Sequence, residues 1–282
     1  MTKCFFVSDL HGQLNRYQKL FIEIERQKPE AVFLGGDLLP SAYLKEQQYD
    51  DFFQEVIYKG FKNLQQIMQK DYPAVFLILG NDDSRMQEFR FIQAENEGLW
   101  HYIHMKKIKF KRWTVYGYSY IPPTPFLYKD WERYDVSRYV DPGCVHPTEG
   151  HRFFDTKEDI EFCSIKKDLE KLCAADDLSR AILLFHSPPY KTLLDRAALD
   201  GVFVEHVPLD VHVGSIAIKE CIEERKPFLS LHGHIHESSA ITGEWKDKIN
   251  KTIAFNAAIA ENMLSIIIFD LENMEQAKRI II

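Results

Sequence analysis

The chain is expected to be an α/β protein built on a largely parallel central sheet. Short apolar runs alternate with stretches of helical periodicity through the first hundred residues, a βαβα order that lays strands side by side in one direction. Two more buried runs, each beside a helical stretch, return after residue 180, and no low-complexity linker or internal repeat divides the chain.

In order, residues 3–7 (KCFFV) read as a strand, and 15–27 as a helix with Tyr17, Leu20, Phe21 and Ile24 on one face, ended before Pro29. Residues 31–34 are the next strand, 50–70 a long helix, 74–79 (AVFLIL) a third strand and 85–95 another helix. From Trp100 the segments YIHMKKIKF and RWTVYGYSY alternate polar and apolar residues, as antiparallel strands do. Helix returns at 156–172, buried strands at 181–185 and 227–231 flank a helix at 214–224, and 238–282 reads as several strands.

With 282 residues, 45% of them hydrophobic, the chain can bury a substantial core in a single domain, 1–282. A net charge of −7 disfavours a protein that tracks a nucleic-acid backbone, which needs a basic stripe. Five cysteines, an odd number with no CxxC pair, and a start that is neither a signal peptide nor a membrane span point to a reducing, cytoplasmic setting away from membranes.

Residues 118–155 fit no regular element. They hold five prolines and nine aromatic residues, too much apolar surface for disorder and too long a stretch for an ordinary connection. The segment is read as an ordered excursion lying over a site; the alternative is a cover for an exposed sheet edge.

Five places share one arrangement, a metal-capable residue directly after an apolar strand: Asp9 and His11 in SDLHG, Asp37 in GGDLL, Asn81 in GNDD, His186 in FHSPP, and His234 and His236 in HGHIH. Ligands bind at the carboxyl ends of strands in open α/β sheets, so distant segments can converge there. If the backbone stays extended, residues two apart point to one side, so both members of each pair can reach one centre. Two Asp, one Asn and four His, with no cysteine, suit Mn, Fe or Zn. Seven side chains exceed the needs of one ion, and two divalent ions sharing a carboxylate recur where phosphorus is the reacting centre. His232 has the same parity but lies further back in the strand and is read as a hydrogen-bonded core or orienting residue.

The ordered set DLH, GD, GND, H and GHIH, spanning Asp9 to His236, resembles the calcineurin-like metallophosphoesterase superfamily, whose pattern is DxH, GD, GNH, H and GHxH. Softer resemblances are HVGS (212–215), HES (236–238) and FNAA (255–258). The resemblance implies a four-layer αββα sandwich with two mixed central sheets and a dinuclear site at the strand ends. It also implies Asp9, His11 and His236 at one ion, Asn81, His186 and His234 at the other, and Asp37 bridging both. The implied activity is hydrolysis of a small phosphate ester by a bridging water.

The family's His after the motif Asn is replaced here by Asp82. A carboxylate beside two cations is a poor proton donor, so either the leaving group is good, another residue donates, or activity is weak. His146, His151, His206 and His212 are the candidate donors, His212 foremost, and Asp83 is a candidate for the carboxylate that supports the site from behind. Loss of the His favours diesters or activated monoesters. The aromatic excursion would stack on an apolar part of the substrate, and Arg133, Arg138 and Arg152 are candidates to meet an additional phosphate. The alternatives are a weakly catalytic, metal-bound scaffold of the same fold or, less favoured by the charge, a nuclease.

Overall fold

A computed structural model of the chain describes residues 2–41, 51–154, 156, 158–260 and 262–282. The amino-terminal half runs β1 (Lys3–Val7), α1 (Leu14–Gln27), β2 (Ala31–Gly35), α2 (Lys59–Met68), β3 (Ala74–Ile78), α3 (Glu88–Asn96), β4 (His101–Tyr102), β5 (Lys107–Phe110) and β6 (Trp113–Tyr118). After the excursion come α4 (Ile165–Cys173), β7 (Ala181–Phe185), a small hairpin of β8 (Phe203–Val204) and β9 (Val207–Pro208), α5 (Ile216–Arg225) and β10 (Leu229–His232). The chain ends with α6 (Ser238–Thr242), β11 (Lys246–Ile249), β12 (Thr252–Asn256), β13 (Ser265–Asp270) and β14 (Asn273–Ile281).

Among the described residues the strands form two six-stranded sheets, ordered β14-β13-β1-β2-β3-β4 and β11-β12-β10-β7-β6-β5. Alternation along each strand sorts its side chains into two cores. Cys4 and Phe6 of β1, Phe33 of β2 and Phe76 of β3 pack against Ile182 and Leu184 of β7 and Leu229 and Leu231 of β10, filling the space between the sheets. Residues of opposite parity, such as Phe5, Val7, Val32 and Leu34, or Leu183 and Phe185, face outward to helices that bury Tyr17, Leu20, Phe61, Leu169 and Ile218. The result is the αββα layering, with both sheets apolar on both faces.

The middle strands are parallel in each sheet: β1 with β2 and β2 with β3, and β6 with β7 and β7 with β10. Their carboxyl ends therefore share one edge of the sandwich, where the five predicted segments emerge.

Several elements depart from the sequence reading. Within 50–70 a π-helical stretch, Phe53–Tyr58, precedes α2 and a 3₁₀ turn follows it, Gln69–Asp71; Asp50 lies outside the described residues. The 156–172 helix begins at Ile165, because Ser164 caps it by accepting from the Lys167 N–H at 3.3 Å; residue 157 lies outside the described residues, as does Asp155 at the end of the excursion. Only the β5–β6 pair is antiparallel in the 101–120 stretch; β4 runs parallel to β3 in the first sheet. Alternation reports a half-buried strand, not the direction of its neighbour.

Candidate metal centre and its cavity

The ligand-bearing turns are not extended. Asp9, His11, Asp37 and His234 have φ of 58°, 46°, 52° and 71°, in the left-handed region that side chains with a Cβ rarely adopt. This corrects the expectation that strand alternation presents the pairs: β1 ends at Val7 and β10 at His232, and the side chains are turned inward by the backbone beyond. Such conformations cost about 1–3 kcal/mol each and persist where the surroundings impose them. Here the turns are interlocked. The Asp9 N–H donates to the Gly36 carbonyl at 2.9 Å and the His11 N–H to the Asp37 carbonyl at 2.8 Å. The Arg16 guanidinium donates to the Asp9 carbonyl, and the His234 N–H donates to the Asp9 carboxylate at 3.1 Å. At Gly233 a Cβ would overlap Ser8 and the Asp9 carboxylate, so the GHIH turn can approach β1 only with glycine there.

Two groups of donors result. In the first, ligand atoms of Asp9, His11, Asp37 and His236 all lie within 4.8 Å of one another. His11 Nε2 is 3.0 Å from His236 Nε2, which is 3.0 Å from Asp9 Oδ1. In the second, His186 Nε2 lies 3.0 Å from Asn81 Oδ1 and 3.3 Å from Asp37 Oδ2, and the His186 and His234 rings are 5.3 Å apart. Asp37 faces both groups, its Oδ2 also lying 3.9 Å from His11 Nε2.

The chemistry of these contacts fits cations. His186 Nδ1 is 2.7 Å from the Gly35 carbonyl, which can only accept, so Nδ1 carries the hydrogen. A neutral His186 then aims its Nε2 lone pair at two oxygens, an arrangement that requires a positive charge between them. In the protein alone a proton supplies it: burial works against the charged ring, but Asp37 and Asp9 outweigh burial and push His186 up to about 9. At Asp9, burial opposes ionisation and is overcome by His236 and His186, which hold the carboxyl well below its usual range. Burial keeps His234 neutral by pulling it down to about 3, as a ligand nitrogen must be.

His232 is fully buried, donates Nδ1–H to the Ser187 carbonyl at 2.8 Å and accepts the Ser230 hydroxyl at 2.6 Å. Both ring nitrogens are used, and none remains for a ligand. Asp83 is also buried and accepts N–H bonds from Leu38, Leu39 and Gly80 at 2.7–3.1 Å, joining the GGDLL and GNDD turns. Asp82 points the other way: its carboxylate lies 3.5 Å from His11 Nδ1 and borders the cavity. Burial and the neighbouring Asp37 push it up to about 7 in the protein alone.

The donor groups sit on the floor of a cavity of about 780 Å³. One wall comes from the excursion, including Pro122, Phe126, Tyr128 and Tyr139; the facing wall comes from the stretch between β7 and α5, including Tyr190, Leu199, Leu209 and His212. The excursion is fastened at two points. Trp131 donates its indole N–H to the Asp83 carbonyl at 2.8 Å, and Asp135 accepts from Ser215 Oγ at 2.5 Å and from the Ile216 N–H at 2.6 Å at the start of α5.

Of the four candidate donor histidines, only His212 lines this cavity. His146 is held 3.2 Å from the Tyr134 hydroxyl, and His151 and His206 are exposed elsewhere. The proposed phosphate-binding arginines are likewise turned away. Arg133 is buried against Asp168, Glu158 and Tyr120, Arg152 donates to the Lys129 and Pro147 carbonyls, and Arg138 pairs with Glu161. Each has found an internal or surface partner, which a long flexible side chain does readily. Sequence reasoning missed Asp195, a fully buried carboxylate 2.9 Å from His212 Nδ1. The unusually long connection between β7 and α5 was the available signal that a second wall lay there.

Asp, Asn and His donors at the parallel strand ends of an αββα sandwich define a metal-binding hydrolase type of site. The calcineurin-like phosphoesterase family model matches residues 2–238, and the chain belongs to this family. A stretch of 82 residues is 38% identical to the uncharacterized protein MJ1162 of Methanocaldococcus jannaschii, covering 28% of this chain and 32%, about a third, of that relative. The fold is similar to TT1561 of Thermus thermophilus, with TM-score 0.56, 15% identity and coverage of 99% of this chain and 98% of that one. It is also similar to a dimetal phosphatase from Danio rerio, with TM-score 0.50, 8% identity and coverage of 99% and 98%. Among the described residues no helix is long and apolar enough to cross a membrane.

Proposed function

We infer that the chain hydrolyses small phosphate esters, phosphodiesters before monoesters, with two divalent cations held by Asp9, His11 and His236, by Asn81, His186 and His234, and by Asp37 between them. The observation that carries this reading is the convergence of donor atoms, His11 Nε2 on His236 Nε2 and His186 Nε2 on Asp37 and Asn81, at the floor of one cavity. The oxygen and nitrogen donors favour Mn, Fe or Zn. Divalent cations held there would polarise the phosphoryl oxygens and raise the acidity of a water molecule on the cavity floor.

The chain's residues do the rest. The Gly35 carbonyl fixes the His186 tautomer, the left-handed turns at Asp9, His11, Asp37 and His234 fix donor direction, and Asp83 holds two of the loops together. In hydrolysis, a water releases a proton to solvent as its oxygen bonds to phosphorus, the bond to the ester oxygen breaks with its electron pair, and that oxygen needs a proton. His212 is assigned this role: Asp195 holds Nδ1–H, leaving Nε2 to carry the proton on the ring's opposite side. The Asp82 carboxylate, beside His11, is assigned the role of disfavouring a dianionic monoester relative to a monoanionic diester. The excursion is read as a wall that receives the apolar part of the substrate, and the five free cysteines fit a cytoplasmic setting.

The test is hydrolysis of bis-p-nitrophenyl phosphate and p-nitrophenyl phosphate by metal-stripped protein with Mn, Fe, Zn or Mg restored, beside Asp37→Ala and His234→Ala. Metal-dependent turnover lost in both variants is expected; turnover that survives either variant, or does not need metal, contradicts the reading.

A further inference from the structure

The walls of the cavity carry a charge pattern that the two-metal reading does not require. Beyond Asp37 and Asp82 on the floor, the lining includes Glu132, Asp135, Asp141, Asp210 and Glu237, and among the described residues it includes no lysine or arginine. Two of these acids are spoken for: Glu132 pairs with the buried Lys129, and Asp135 receives Ser215 and the first N–H groups of α5. Asp210 and Glu237 are bonded to uncharged donors, the Tyr190 hydroxyl and His212 N–H for the former and the Ala198 N–H for the latter. Asp141 lies near enough to Asp210 that, after partial burial, this like charge raises its carboxyl above the ordinary value. The remaining lining is largely apolar, with Pro122, Pro123, Val136, Leu199, Val204 and Leu209.

Resting on the hydrolase reading, we propose that the substrate is a phosphodiester whose reacting phosphate is its only anionic group, carrying an uncharged, partly apolar group into the walls. A phosphate monoanion on the floor would meet the cations held there. A second phosphate would instead lie against Asp141, Asp210 or Glu237, where like charge opposes it; Lys191 offsets part of this at Asp210 but does not line the cavity. The same rim slows the approach of any polyanion, including a nucleic-acid strand. The arginines that could have reversed this pattern are the ones bound elsewhere: Arg133 to Asp168 and Arg152 to backbone carbonyls.

The experiment compares two substrates with one leaving group, thymidine 5′-(p-nitrophenyl phosphate) with and without a 3′-phosphate, on the metal-restored full chain. Bis-p-nitrophenyl phosphate serves as the control for the hydrolase reading. The 3′-phosphate should lower kcat/KM by about tenfold or more, chiefly through KM, because it weakens binding rather than chemistry. Added salt should narrow the gap by screening the rim. Asp141→Lys should narrow it at least about threefold. Equal or faster turnover of the 3′-phosphorylated ester, or an unchanged ratio in Asp141→Lys, overturns the substrate assignment while bis-p-nitrophenyl phosphate is still cleaved. Failure to cleave bis-p-nitrophenyl phosphate with any metal overturns the hydrolase reading, and this inference with it.

Discussion

His11 Nε2 and His236 Nε2 lie 3.0 Å apart, from segments 225 residues apart in sequence. One nitrogen can donate to the other, but the Asp9 carboxylate also sits 3.0 Å from the His236 atom, and a cation satisfies all three at once. The same logic holds at His186, whose Nε2 faces only oxygens. On the two-cation reading, metal and proton compete for these nitrogens.

That competition gives the metal-stripped protein a pH dependence with a defined sign. His186 is raised to about 9 in the folded chain from an ordinary value of 6.5. Its stabilising contribution is complete below 6.5 and is lost as pH climbs through about 9. Thermal denaturation of stripped protein should show Tm falling between pH 6.5 and 9. With Mn present the fall should vanish, because deprotonation then favours metal binding. A Tm of stripped protein that holds steady or rises over this window would contradict the assignment.

Asp83→Ala removes the acceptor for the N–H groups of Leu38, Leu39 and Gly80, all buried. Stranding three buried donors should cost at least about 3 kcal/mol of unfolding free energy, since each is worth about 1–3 kcal/mol. Urea denaturation of stripped protein reads this directly, and a loss under about 1 kcal/mol would show that water replaces the carboxylate.

His212→Asn should leave esters of p-nitrophenol nearly untouched and slow esters of alkyl alcohols by about a hundredfold, because only a poor leaving group needs the proton. Asp195→Asn, which disturbs the ring without removing it, should slow alkyl esters selectively, by less than His212→Asn does. If both ester classes slow equally in His212→Asn, the residue supports the wall and does not donate.

Asp82→His restores an imidazole beside His11 and removes a carboxylate. The ratio of p-nitrophenyl phosphate to bis-p-nitrophenyl phosphate turnover should rise by about tenfold, as a dianion no longer faces a like charge. An unchanged ratio would place ester choice elsewhere in the cavity.

Much of the sandwich is legible in the sequence because its strands are buried on both faces and so read as continuous apolar runs; Lys3–Val7 and Ala181–Phe185 have the bounds their residues suggest. The candidate donor residues that converge are legible for a related reason, since each follows such a run. What the sequence conceals is decided by partners far along the chain. Nothing near Arg133 announces Asp168, 35 residues on, as the acid that buries it away from the cavity. Nor does anything near His212 announce Asp195. The left-handed backbone at Asp9 and His11 is equally hidden, because it is imposed by bonds to the Gly36 and Asp37 carbonyls of the next turn.

The central claim is that seven side chains hold two cations, and metal content tests it most directly. Stripped protein dialysed against Mn and measured by elemental analysis should hold about two ions per chain. His186→Ala should hold about one, and Asp37→Ala should bind both weakly. A single ion in the parent protein, or full occupancy in Asp37→Ala, would contradict a shared two-metal centre.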